Sequence, residues 1–210
     1  MSLSAVTRIG IVDDHSVVLE GIQAVFSDYP DVRVIGKAHN TRGALELVKA
    51  QDPDVLILDL QLGHESAVDV LDRLAFYAPK TKVVIFSAYP VSQYGAALHS
   101  LGAKAFVDKS GPVEDLIEIV RLVAAGHILL APDIVDDGPT SPPHLTKREL
   151  QIFLKLAGGT TVTQTALELN LARNSVSYYK TRLMRKFGFT NSQQLTKYAI
   201  DNGFLHAPCM

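Results

Sequence analysis

Across residues 9–125, short apolar runs alternate with longer amphipathic stretches, and this alternation restricts the fold more than any other feature of the chain. Residues 9–12 read as a strand and 17–26 as a helix. The pair recurs at 32–38 with 41–50, 55–58 with 66–77, 82–86 with 92–101, and 105–107 with 113–125. Strands that are apolar on both faces and separated by helical patterns form a parallel sheet covered on both sides. Right-handed crossovers then make it an α/β, doubly wound, five-stranded parallel sheet, for which we take a flavodoxin-like order, 2-1-3-4-5, as the working expectation.

In such a sheet the ligand site lies beyond the carboxyl ends of the strands. The first strand is followed by Asp13 and Asp14, the third by Asp59, the fourth by Ser87, and the fifth by Asp108 and Lys109. The first and third strands are neighbours in this order, which brings three carboxylates together. Like charges so close are unfavourable unless a cation or a proton intervenes. An all-oxygen donor set suits a hard cation, Mg²⁺ or Mn²⁺, that also bridges to phosphate oxygens. Lys109 as a point charge and Ser87 as a donor complete a site for a phosphoryl group. His15 reads as a solvated turn residue, and the remaining histidines have no metal-ligand spacing.

The formal charge of −2 conceals an asymmetry. Residues 1–144 carry 11 Lys+Arg against 19 Asp+Glu, a net of −8, whereas 145–210 carry 9 against 3, a net of +6. Between them, Gly138, Pro139, Pro142 and Pro143 interrupt both helix and ladder. We therefore expect a first domain at 7–129, a semi-rigid linker at 130–144 and an all-α domain at 145–207. In that last region Thr146-Lys147-Arg148-Glu149 is a capping box opening a helix that Gly158-Gly159 ends. A short helix at 163–169, a turn at Asn170-Leu171 and a longer basic helix at 173–187 form a helix-turn-helix pattern, and a fourth helix spans 191–202. At about 100° per residue, Val176, Tyr179, Leu183 and Phe187 share the core side of the third helix. Asn174, Ser177, Tyr178, Thr181 and Arg185 take the opposite side, with Lys180, Arg182 and Lys186 flanking. Donors, acceptors and cations on one face suit base edges and phosphates of double-stranded DNA. Leu195, Tyr198 and Ala199 of the last helix read either as core or as a dimer surface.

Ile11-Val12-Asp13-Asp14-His15, Leu56-Ile57-Leu58-Asp59-Leu60, Phe86-Ser87-Ala88 and Ala105-Phe106-Val107-Asp108-Lys109 resemble the receiver domain of two-component response regulators. The resemblance implies that Asp59 accepts a phosphoryl group from a sensor histidine kinase. Asp13, Asp14 and Asp59 would hold Mg²⁺ together with the backbone carbonyl of Gln61. Lys109 would bind the phosphoryl group, Ser87 would swing to it, and Phe106 would follow as the switch residue. The chemistry agrees, because a carboxylate attacks an anionic phosphoramidate only when its charge is neutralised and the groups are in line. Receivers usually carry a proline soon after the acceptor and a glycine further on. Here those positions hold Gly63 and Ala67, so we expect a more mobile loop at 61–67.

Leu145-Thr146-Lys147-Arg148-Glu149, Leu154-Lys155-Leu156-Ala157 and the run from Ser175 to Gly188 resemble the LuxR-type DNA-binding domain. With the receiver, this makes the chain similar to NarL/FixJ-family regulators along nearly its whole length. The resemblance implies base-facing roles for Ser177, Tyr178 and Thr181, and phosphate-facing roles for Lys180 and Arg182. The run Val-Ser-x-Tyr-Lys-Thr-Arg-Leu resembles a subset of virulence and fimbrial regulators, with Tyr178 at the free position. Thr165 stands where the family usually buries an isoleucine, so we expect looser packing of the second helix.

Other classes are excluded or demoted on the same residues. A single cysteine, Cys209, excludes a disulfide scaffold and a cysteine metal site. No signal-peptide pattern and no long apolar stretch is present, so we expect a cytoplasmic protein with no membrane partner. Aspartyl-phosphate phosphatases need an acid two residues after the nucleophile, and position 61 is Gln, so we do not expect an enzyme. The reading is a phosphorylation-regulated DNA-binding transcription factor that acts as a homodimer when phosphorylated. The alternative is a phosphorylation-independent orphan regulator whose receiver is an interaction module.

Overall fold

The computed structural model describes residues 6–62, 65–88, 95–130, 145–202 and 204–205. The first part runs β1 (Thr7–Val12), α1 (Ser16–Phe26), β2 (Val32–Ala38), α2 (Thr41–Gln51), β3 (Val55–Asp59), β4 (Gln61–Leu62), β5 (Glu65–Ser66), α3 (Ala67–Tyr77), β6 (Lys82–Ser87), α4 (Gly95–Ser100), β7 (Ala103–Asp108) and α5 (Val113–Ala124). The main sheet has the order β2-β1-β3-β6-β7 with every pair parallel. This is the expected doubly wound order, because β6 and β7 are the fourth and fifth of its strands.

Strand alternation assigns side chains to two layers. Ile9, Ile11, Ile57 and Val84 pack under α1 and α5 against Leu19, Phe26, Leu116 and Val120. Val12, Leu56, Leu58 and Ile85 face α2, α3 and α4, against Leu47, Leu71, Leu74 and Leu98. Each fully buried side chain of this size contributes roughly 1.5–3 kcal/mol of hydrophobic stabilisation. Gly10 is required by close approach: a Cβ there would lie 2.7 Å from Leu47 Cδ2 and 2.8 Å from Leu56 Cδ1.

The described residues at either end of the 61–67 segment are paired. Gln61 pairs with Ser66 and Leu62 with Glu65 as a two-rung antiparallel ladder, and the Ala67 N–H donates to the Leu60 carbonyl at 3.1 Å. Gln61 and Leu62 are both buried. Residues 63–64, the 92–94 start expected for the fourth helix, and 131–144 of the expected linker lie outside the described residues. Leu130 belongs to the packed body rather than to a linker: it is buried, and its N–H donates to the Lys104 carbonyl.

The second part consists of α6 (Lys147–Ala157), α7 (Val162–Glu168), α8 (Arg173–Lys186) and α9 (Ser192–Asp201). The Thr146 capping box forms as expected, and Thr161 and Asn191 cap α7 and α9 in the same way. Phe153 anchors the core, with Phe187, Tyr198 and Phe204 around it at 4.8–6.1 Å between ring centroids. Leu195 and Ala199 are buried beside them, so α9 turns these residues to the core and not to a dimer surface. Thr165 is fully buried.

The two parts touch. α6 packs on α4, and Val68 of α3 shares a crevice with Gln151 and Leu154 of α6. The apolar cluster on the α2–α4 side of the sheet continues into the helical core. Lys147 Nζ lies 2.8 Å from Asp72 Oδ1 and Lys155 Nζ 3.1 Å from Asp69 Oδ2, linking α6 to α3. Among the described residues no helix is long and apolar enough to cross a membrane.

Candidate phosphoryl site and nucleic-acid interface

The fold gathers the strand-end residues at one edge of the sheet. Asp59 ends β3, Ser87 ends β6, Lys109 follows β7, and Asp13 and Asp14 follow β1. Asp13 and Asp59 are 1% and 6% exposed, and Ser87 is 1% exposed, so these groups are largely removed from bulk water. The Asp13 N–H is held by the Ala38 carbonyl of β2 at 3.1 Å, and the Lys109 N–H by the Ser87 carbonyl at 2.8 Å. Backbone pairing thus sets the position of each functional side chain.

Lys109 reaches between the carboxylates, with Nζ 2.6 Å from Asp13 Oδ2 and 3.0 Å from Asp59 Oδ2. Burial pushes the Asp59 carboxyl up to about 6, reinforced by the charge of Asp13, while Lys109 and the Gln61 N–H pull the other way. Burial opposes the charge of Lys109, but Asp59 and Asp13 outweigh it and hold the ammonium above its ordinary range. Ligand atoms of Asp13, Asp14, His15 and Asp59 all lie within 4.8 Å of one another. The carboxylates are hard oxygen donors, and such a set fits Mg²⁺ or Mn²⁺.

His15, expected as a solvated turn residue, is 59% exposed and stands beside the carboxylates. Its N–H donates to Asp13 Oδ1 at 2.9 Å, and its Nδ1 stands 2.8 Å from Asp14 Oδ1. The only signal in the chain was its place directly after the acidic pair. Phe106 is half-buried on the α2–α4 side of the sheet, the side on which α6 rests.

In the helical part, α8 buries Val176 and Leu183 and half-buries Tyr179 and Phe187, as its phase requires. Asn174, Ser177, Tyr178, Thr181, Arg182 and Arg185 are exposed, so the expected face is free in the described structure. Lys180 is half-buried and turns to a cleft with Thr161, Val162, Ser192 and Thr196. Arg182 Nε and Lys186 Nζ each sit 3.1 Å from the buried carboxylate of Glu149, which also accepts from the Thr146 N–H at 2.9 Å. Burial works against the Glu149 charge, but the Thr146 N–H and Lys186 hold its carboxyl below the usual range. The sequence had shown Glu149 only as a helix cap.

Residues 9–121 match the model of the response regulator receiver domain, and 143–199 match that of the bacterial regulatory proteins of the luxR family. The response regulator UvrY of Escherichia coli K12 is 25% identical over 207 residues, covering 94% of this chain and 95% of that protein. The oxygen regulatory protein NreC of Staphylococcus carnosus is 29% identical over 214 residues, covering 94% and 99%. Among solved structures, RcsB from Salmonella enterica serovar Typhimurium, bound to promoter rprA with the phosphomimetic BeF3-, superposes with a TM-score of 0.76 at 22% identity. The match covers 91% of this chain and 97% of that one.

Proposed function

Because the chain belongs to the NarL/FixJ family of response regulators, in which a receiver is joined to a LuxR-type DNA-binding domain, we propose that Asp59 is its phosphoacceptor and that the phosphoryl group controls DNA binding by α8. The observation that carries this reading is Lys109, which bridges Asp13 and Asp59 at 2.6 and 3.0 Å in a buried cluster of carboxylates. The phosphodonor is a sensor histidine kinase, whose N–P bond breaks as an Asp59 oxygen bonds to phosphorus. Asp13, Asp14, Asp59 and the Gln61 carbonyl would hold a divalent cation, Mg²⁺ or Mn²⁺, which would neutralise charge on the carboxylates and the phosphoryl oxygens. Lys109 then pairs with a phosphoryl oxygen, and Ser87 donates to another. Movement of Ser87 leaves space that Phe106 fills, and α4 carries the change to α6, which it touches.

The helical domain binds double-stranded promoter DNA. Asn174, Ser177, Tyr178 and Thr181 face the bases, while Lys180, Arg182 and Arg185 serve phosphates and groove edges. Phosphorylation favours a homodimer whose two α8 helices read half-sites about one helical turn apart. This chemistry belongs to the cytoplasm, where kinase output and promoter meet. It is gene regulation, not catalysis of turnover.

A gel-shift titration with and without acetyl phosphate in Mg²⁺ tests the reading. One phosphoryl group per chain, lost in Asp59→Asn, and tighter DNA binding only by the phosphorylated wild type are expected. Equal affinity of Asp59→Asn and the phosphorylated protein overturns it.

A further inference from the structure

The face that α8 shows to solvent has a centre free of cations. Asn174, Ser177, Tyr178 and Thr181 occupy its centre, and the next residue on that line, Arg185, lies a turn further on. Three of the flanking cations also meet groups of the protein itself. Arg182 and Lys186 pair with the buried Glu149, and Lys180 turns to the cleft beside α9. The commonest specific contact to DNA is an Arg or Lys on guanine O6 and N7, and on this face the exposed arginines, Arg173 and Arg185, stand at the two ends of the helix, on either side of this centre.

The largest side chain at that centre is aromatic. Tyr178 is 59% exposed, one of the large apolar side chains left in water among the described residues. Its ring is not loose: it meets Tyr179 edge-on at 5.7 Å, and Tyr179 is packed against the helical core. One turn on, the Thr181 hydroxyl donates to the Ser177 carbonyl at 3.1 Å. Its proton is therefore used within the helix, and its methyl is left to the outer face. A rigid aromatic ring beside a methyl, framed by Asn174 and Ser177, is a surface for another methyl. In the major groove the group of that kind is the C5-methyl of thymine. The neighbouring Asn174 amide suits adenine N6 and N7.

We propose that Tyr178 is a specificity-determining residue that packs on a thymine methyl, so that each half-site carries an obligatory A·T pair beneath it. This rests on the DNA-binding reading above and deepens it. Replacing thymine by deoxyuridine removes the methyl and leaves base pairing unchanged. Losing one buried methyl weakens binding about fourfold.

The test uses the full chain with acetyl phosphate and Mg²⁺. A random-centre duplex library is selected for binding, and each thymine of the enriched duplex is then replaced in turn by deoxyuridine. The expected result is one position per half-site where the replacement costs about fourfold. Tyr178→Ala should bind the thymine duplex as weakly as wild type binds the deoxyuridine one. Tyr178→Phe should keep the discrimination. Tyr178 is exposed, so these variants leave the fold intact. Specific binding in which no replacement lowers affinity overturns the proposal alone. So does a penalty that persists in Tyr178→Ala, or a Tyr178→Ala loss equal on all duplexes. If no duplex is enriched, the DNA-binding reading falls and the proposal with it.

Discussion

Lys147 Nζ lies 2.8 Å from Asp72 Oδ1, an ion pair that crosses from the DNA-binding domain to the receiver. Lys155 and Asp69 repeat it one face along, at 3.1 Å. All four side chains are partly exposed, so each pair contributes only about 0.2–1 kcal/mol and is screened by salt. The contact leaves Asn174, Ser177, Tyr178 and Thr181 open, so it orients the DNA-binding domain rather than covering its reading face. Small-angle scattering of Asp69→Lys/Asp72→Lys should show a wider mean domain separation than wild type at low salt. DNA affinity of the unphosphorylated protein should change less than about threefold. A tenfold gain in affinity would mean that the contact is an inhibitory cover.

Asp59 gives a pH signature. Its native carboxyl sits at about 6, against an ordinary 3.8, so the folded state holds the proton where the unfolded chain has released it. In chelator, stability should therefore fall as pH rises from about 4 to 6 and then level off. Asp59→Asn removes the charge that must be buried. The variant should exceed wild type by about 2 kcal/mol at pH 7.5, with the difference vanishing near pH 4. Urea unfolding at the two pH values measures it, and an unchanged pH slope in the variant rejects the account.

Glu149 supplies a different slope. Its carboxyl is held below the usual range, so its contribution is present above about pH 4.5 and is lost as pH falls through the lowered native value. Glu149→Gln keeps the shape but loses the ion pairs to Arg182 and Lys186. A loss of about 1–2 kcal/mol at pH 7 is expected by thermal or urea melting, shrinking below pH 4. DNA affinity should also fall modestly, because both cations lose their anchor. A variant as stable as wild type at pH 7 would show that the clamp contributes nothing.

Thr165 predicts a gain. Its hydroxyl is fully buried and has no hydrogen-bond partner among the described residues. Thr165→Val keeps the branched shape and removes the stranded polar atom. Calorimetry should show stabilisation of about 1 kcal/mol with DNA affinity unchanged. A lower melting temperature would mean that the hydroxyl is satisfied in solution.

Much of this was readable from the chain because it depends on local period. Runs such as Val55-Leu56-Ile57-Leu58 could only be buried strands, and Asp59 then had to stand at the sheet edge. The phase of Val176 and Leu183 settled which side of α8 faces the core. The β4–β5 pair escaped because two-residue strands have no period to detect. The Glu149 clamp escaped for another reason. Its partners lie 33 and 37 residues away, and only the packing of α6 on α8 brings them together. The place of His15 among the carboxylates and the choice of α4 and α3 as neighbours of α6 are likewise products of tertiary assembly.

The apolar cluster that runs without a break from the α2–α4 side of the sheet into the core around Phe153 makes the linker a poor guide to modularity. Leu98, Val68 and Leu154 belong to one buried cluster, so the two halves are expected to stabilise each other on heating rather than unfold as beads on a string. Free energy supplied by the proposed phosphorylation of Asp59 would then be felt as heat resistance in helices far from that residue. A hybrid made by cutting at the prolines and grafting another DNA-binding domain inherits a mismatched seam, and with it a receiver whose chemistry is intact and whose message is lost.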